Sequence, residues 1–439
     1  MKKLLLFLTY VLLPLSLFAQ GTPAITLAVE VDGNSRDFSF IVKTEGQKLS
    51  IDWGDGALVE TDVIASNIAG GSTTVTGTPV GEGNVKIYGE GILYFSSISR
   101  VDGAAITAAN VTNAPDLVNL MLTTNKITEI DLSKNTKLET LSMSKNKLSS
   151  LNLTANTALM RLEVEENQIA SIDLSANTEL STLRMSKNPM SSIDLSANTK
   201  LKMVYLLNCG LTSANFGNNA TTGLFLSLGG NLFTTFDATT IPGLATARGE
   251  LSLRDNQLTS IKADGVSRLN VAINNLPLSE LPVKVGEPTR YNYQPQRPMT
   301  IAGSIEVNQE LDLSAQNNLT DAAGVQHPTT YTWKTVSGTP LVAGTDYTEN
   351  AGKFTFLKPQ TEAVYAVLTT PVFPKFTGMY EFRTSEITVT GTPTGIQQVE
   401  AAASSAVQPI YDLNGRYVGN NLSALPKGVY VVDGKKVVK

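Results

Sequence analysis

Few residues in this 439-residue chain could carry out a reaction, and their spacing settles most of them. A single histidine, His327, stands before Pro328. A Ser–His–Asp or Cys–His site would have to use it, yet its sequence surroundings show no nucleophile elbow. A loop position is expected for it. The only cysteine, Cys209, permits no internal disulfide. Zinc-type ligand spacings and a Gly-rich phosphate loop are missing from the sequence, so neither a metal nor a cofactor is expected. Carboxylates remain. Glu163 and Glu165 lie two residues apart, about 7 Å on one strand face, a separation that glycosidases also use. On an open face nothing would raise one of the two pKa values, so pairing with Arg161 and Arg184 is the expected role. Asp52 and Asp55 could offer oxygens to calcium, but too few further donors lie nearby. Turn formation is the expectation for that Asp-Gly segment. No catalytic residue is assigned, and the chain reads as a non-enzyme.

The elements that position these residues follow one rule. Asn125, Asn146, Asn167 and Asn188 recur every 21 residues, and Cys209 occupies the next slot. Around them run LVNLMLTTNKI, LETLSMSKNKL, LMRLEVEENQI, LSTLRMSKNPM and LKMVYLLNCGL. This is the leucine-rich repeat pattern, a short strand followed by a sharp turn. An Asn amide can satisfy the buried backbone groups of such a turn, and Cys can replace it as a small buried side chain. A second asparagine series, Asn135, Asn156, Asn177, Asn198 and Asn219, keeps the same 21-residue step on the other side of each coil. The first series continues with irregular spacing through Asn231, Asn256 and Asn274, which implies insertions. Tyr291, Tyr293 and Gln296 fit a degenerate last coil. The fold class is therefore mainly β, a repeat solenoid spanning residues 101–298 with its caps.

Other segments set context. Residues 1–19 read as a secretory signal peptide: Lys2, Lys3, a short apolar run, and cleavage between Ala19 and Gln20. No later stretch reaches membrane length, and net charge −5 disfavours nucleic acid as partner. Residues 22–100 alternate like a small β-domain. The WGDG at Trp53 resembles a motif of polycystic-kidney-disease-type β-sandwich domains. Residues 299–392 resemble an immunoglobulin-like β-sandwich without a disulfide, with Trp333 in its core. Residues 393–409 read as a linker. Residues 410–439 resemble the C-terminal sorting domain of the bacterial type IX secretion system, through Asn414–Gly415, Arg416, Gly428, Tyr430, Lys435, Lys436 and Lys439. That resemblance implies export from a Gram-negative bacterium by that machinery, to the outer membrane surface or beyond.

Strand alternation also assigns the concave face. Thr140, Ser142 and Ser144 give way to Arg161, Glu163 and Glu165, then to Thr182, Arg184 and Ser186. Met203, Tyr205, Leu207 and Phe225 then form an apolar island, with Arg254 among the charges beyond it. Aromatic anchors within a polar rim suit a macromolecular interface. Alternatively, an insertion near residue 220 or 240 folds back over the island. The Asp131, Asn152, Asp173, Asp194 and Asn215 stack reads as a solvated face. Taken whole, the chain resembles the internalin-like class of bacterial surface leucine-rich repeat proteins. This resemblance implies an adhesin-like binding protein for a protein or glycan ligand. An accessory component of a nutrient-capture complex is the alternative, and an extracellular glycoside hydrolase a remote one.

Overall fold

The computed structural model describes residues 21–65, 71–98, 105–284, 290–391, 409–432 and 435–439. The expected signal peptide with Ala19 and Gln20, nearly all of the linker, and Asp433–Gly434 lie outside the described residues. The chain divides into two compact units. The first comprises residues 1–232, 239–251 and 265–267, and the second residues 233–238, 252–264 and 268–439.

In the first unit, two antiparallel layers precede the coils. Ile25–Val29, Lys48–Asp52, Leu58–Asp62, Asn84–Tyr88 and Ile106–Asn110 form one sheet. Ile106–Asn110, read from sequence as part of the first repeat, pairs antiparallel with Ile25–Val29. Arg36–Val42 lies between Thr73–Gly77 and Ile92–Ser96 in the other layer. Phe38, Phe40 and Phe95 fill the core of this region, and Trp53 stacks on Phe38 at 5.0 Å. Asp52 accepts the backbone N–H groups of Gly54 and Gly56, both at 2.9 Å. That is the turn role expected of it.

Ile92–Ser96 then passes directly into the solenoid, pairing in parallel with Asn119–Met121. The strands Thr140–Ser142, Arg161–Glu163, Thr182–Arg184, Met203–Tyr205 and Phe225–Ser227 follow, each parallel to the last and in unbroken register. Inward residues Leu141, Leu162, Leu183, Val204 and Leu226 are fully buried. Each strand covers its neighbour's apolar face, so the core is continuous although no coil has one alone.

The asparagine ladder closes each turn. Asn146 accepts the Ile127 N–H at 3.0 Å and donates to the carbonyls of Leu122 (2.8 Å) and Met143 (3.0 Å). Asn167 and Asn188 repeat this on their own coils. The residue before each ladder position is left-handed: Thr124, Lys145, Glu166, Lys187 and Asn208 have φ of 54° to 60°. Such a conformation costs a non-glycine residue about 1–2 kcal/mol, and the buried amide bonds hold it in place. The second series as far as Asn198 is satisfied on one side only, whereas the Asn219 Oδ1 accepts the Thr221 N–H. Asn156 donates to the carbonyls of Leu132 and Asn135, while the Oδ1 atoms of Asn135, Asn156, Asn177 and Asn198 are buried without a partner.

Cys209 interrupts the pattern instructively. Its thiol reaches the carbonyls of Met185 and Leu207, each at 3.5 Å, and burial raises its pKa. It has no carbonyl oxygen to offer. The Met190 N–H, which an asparagine would have received, turns to the backbone oxygens of Asn188 and Cys209. On the next coil Asn231 accepts two N–H groups, from Cys209 and Leu211.

In the second unit Asn274 accepts the Leu258 N–H and donates to the carbonyls of Leu253 and Val271. Gln296 takes the same position on the last coil, accepting from Leu276 and donating to Val271. Two antiparallel sheets follow. Thr330–Thr335 pairs with Val364–Thr369, and Phe382–Arg383 extends that sheet. Lys353–Phe356 lies between Glu310–Asp312 and Tyr347–Asn350 in the other. Trp333, fully buried, contacts Phe354 and Phe356 across the two. Gln316 exchanges two hydrogen bonds with Ser279, and the Lys375 N–H donates to the Tyr293 hydroxyl. These bonds fasten the sandwich to the last coils. His327, expected in a loop, instead lies in the short strand Gln326–Pro328 and pairs with Asp321 at 2.8 Å. The C-terminal sheet comprises Ile410–Asp412, Tyr417–Gly419, Val429–Val432 and Lys435–Val438. Within it Gly415 has φ 77° in the turn after Asp412, and Tyr430 is buried.

The two asparagine series differ in what they leave unpaired on removal. Asn146→Ala strands one N–H and two carbonyls, so a loss of about 3 kcal/mol is expected. Asn156→Ala also eliminates an unpartnered oxygen and should cost clearly less. Cys209→Asn should stabilise by about 1 kcal/mol, because an amide N–H replaces the weak thiol contacts to the Met185 and Leu207 carbonyls. Urea denaturation of the three variants measures all of this.

Candidate functional site

The coil from Thr182 onward carries a change of surface on a constant backbone. Register places Glu163 beside Arg184, and Arg184 beside Tyr205. Phe225 sits beside Met203, one step along the next strand. With side chains alternating, all of them project from the face opposite the leucine core.

These neighbours form a connected row. Thr123 and Ser142 hydroxyls lie 3.0 Å apart, and the Ser142 hydroxyl donates to Glu163 at 3.2 Å. The other oxygen of Glu163 accepts Arg161 Nε at 2.8 Å and lies 3.7 Å from Arg184 Nε. The Arg184 guanidinium lies over the Tyr205 ring, 4.1 Å from its centroid. Tyr205 in turn meets Phe225 at 5.2 Å with a 42° tilt. Tyr205 is thus flanked by a cation on one strand and an aromatic ring on the other. Met203, Tyr205, Leu207 and Phe225 are all half-buried.

Residues 239–249, the insertion that could have covered this island, stay with the far turn. The Gly243 N–H bonds the Asn219 carbonyl, and the Gly223 N–H bonds the Thr246 hydroxyl. Asn219 belongs to the second ladder, so the insertion is accommodated on that side of the coil.

The two glutamates behave differently. Sequence spacing paired both with the arginines, but only Glu163 makes those contacts. Glu165 continues the same face, its backbone N–H bonding the Ser144 hydroxyl, and its carboxylate forms no ion pair or hydrogen bond among the described residues. Glu163, held by Arg161 and Ser142 on an open sheet, orients cations; that arrangement does not favour proton transfer. Arg254 is exposed and belongs to the second unit. The row Asp131, Asn152, Asp173, Asp194 and Asn215 accepts nearby backbone N–H groups two residues ahead, as expected of solvated turn residues. Among the described residues, no cluster of three or more His, Cys, Asp or Glu could hold a metal ion. Nor is any described helix long and apolar enough to cross a membrane. The cation–π contact was missed from the sequence, although the Arg184-to-Tyr205 step of 21 residues would have revealed it.

No protein-family model and no curated protein matches the chain. Solved structures do resemble it. The functional domain of InlJ from Listeria monocytogenes is 20% identical over 66% of this chain and 64% of that one, with a TM-score of 0.43. A leucine-rich repeat protein of Leptospira interrogans is 19% identical over 45% of this chain and 69% of that one, with a TM-score of 0.32. The leucine-rich repeat domain of APL1B is 17% identical over 55% of this chain and 80% of that one, with a TM-score of 0.26. The chain spans less than two thirds of the InlJ domain's length.

Proposed function

We propose that this leucine-rich repeat protein binds a protein ligand on its concave face, centred on Tyr205 and Phe225, and that it does so as an exported, adhesin-like molecule at a bacterial surface. The observation that carries the binding reading is the flanked tyrosine. Arg184 on one side and Phe225 on the other leave Tyr205 its edge and hydroxyl for a partner. A sugar ring would stack on a free aromatic face, whereas protein side chains pack against such edges and the surrounding methyl groups. Tyrosine and arginine at the centre of a half-buried apolar patch are the side chains that dominate protein interfaces. The export reading rests on the leader-like residues 1–19 and on the sorting-type tail, with Gly415, Arg416, Gly428, Tyr430, Lys435 and Lys436.

A second reading, an accessory component of a surface complex, draws on the sandwich. Met379 there is 88% exposed and Val342 58% exposed, apolar side chains available to a partner subunit. Met379→Asp would then abolish co-purification with partner subunits and leave concave-face binding untouched.

The principal test is an array of purified extracellular proteins and glycans probed with the full chain. Protein spots should bind it, and the Tyr205→Ala, Phe225→Ala double variant should weaken them about thirtyfold or more. Far-UV circular dichroism and the melting temperature verify that the variant remains folded. Binding to glycans alone refutes the protein reading, and undiminished binding of the folded variant moves the site elsewhere.

A further inference from the structure

The concave face also carries a charge that finds no partner among the described residues. Arg161 and Arg184 converge on Glu163, and Arg184 is further held by the Tyr205 ring. Its Nε is buried without a hydrogen bond, so the guanidinium is tucked into the row. Glu165 has no such company. Its position is nonetheless fixed, because the parallel backbone bonding runs past the assigned strand ends. The Lys145 N–H bonds the Glu165 carbonyl at 2.7 Å, and the Lys187 N–H bonds the Leu207 carbonyl at 2.7 Å.

Glu165, Ser186 and Leu207 therefore form one column across three coils. Ser186 is buried at 6% exposure, its hydroxyl accepting the Leu207 N–H at 3.2 Å. The column is a notch, with a carboxylate at one lip and an apolar edge at the other. Two sheet spacings separate the lips, about 10 Å. Leu207 shares its lip with Met203, Tyr205 and Phe225.

We infer that the protein ligand engages this notch through a segment presenting a basic side chain about 10 Å from an apolar one, the base meeting Glu165 and the apolar group packing beside Leu207 and Tyr205. This inference rests on the protein-binding reading above and specifies the partner's chemistry. A half-buried unpaired carboxylate is partly desolvated, so a cation placed on it gains more than one at a fully wet surface. Extended polyproline geometry supplies the spacing, since residues three apart lie on one side and about 9 Å apart.

The test uses three fluorescently labelled peptides with the cores Arg-Pro-Pro-Phe, Glu-Pro-Pro-Phe and Arg-Pro-Pro-Ser, titrated against the full chain by anisotropy. The first should bind at least tenfold tighter than either of the others. Glu165→Gln should erase the preference for arginine over glutamate, and Tyr205→Ala the preference for phenylalanine over serine. Raised salt should weaken the first peptide on the parent chain and change little on Glu165→Gln. Equal binding of the three peptides, no saturable binding of the first, or tighter binding of the glutamate peptide would each overturn the inference. Tyr205-dependent binding on the protein array, unaltered by Glu165→Gln, would leave the protein-binding reading standing while this one fails.

Discussion

Each coil of this solenoid depends on one buried side-chain amide. A strand three residues long cannot hold its own turn, least of all when the turn requires a left-handed residue such as Lys145 or Glu166. The ladder asparagine supplies an acceptor to one coil and donors to two carbonyls, so it binds the turn to its predecessor as well as to itself. Burial makes those bonds costly to lose. Stability is consequently shared between neighbours, and the backbone of one coil becomes a template for the next.

This constraint explains the character of the surface. With the inward residues and the turn committed, variation concentrates at the outward strand positions. Those positions hold hydroxyls on the early coils, an arginine–glutamate row in the middle, and the Tyr205–Phe225 pair after it. The backbone register is the same throughout. A recognition surface can therefore change from coil to coil without altering the scaffold beneath it. The Cys209 coil shows the tolerance of that scaffold, since the Met190 N–H that loses its side-chain acceptor is taken up by backbone oxygens.

Much of the fold was legible because its period is written in residue types. A 21-residue step with leucine at fixed offsets permits one architecture, and even the substitution of Gln296 at the last coil could be read from position. His327 and Glu165 resisted reading. His327 stands in a strand because a hairpin from Asn318 to Pro328 forms around it, and a proline neighbour had suggested a loop. Glu165 stays unpaired because Arg184 reaches across to Glu163 and the Tyr205 ring instead. Spacing alone could not choose between two equally placed carboxylates.

The sequence by itself determined the solenoid, the inward and outward alternation, and which side chains share the concave face. Those properties follow from local periodicity and from the need to pair buried backbone groups, both of which recur in every coil. Tertiary structure decided the pairings. It placed the residue 239–249 insertion on the far turn, held Arg184 over Tyr205, joined the Ile106–Asn110 strand to the N-terminal sheet, and left Glu165 half-buried without an ion pair among the described residues. Each of these outcomes is a competition among neighbours at similar sequence distance. Only side-chain reach and packing in three dimensions resolve it.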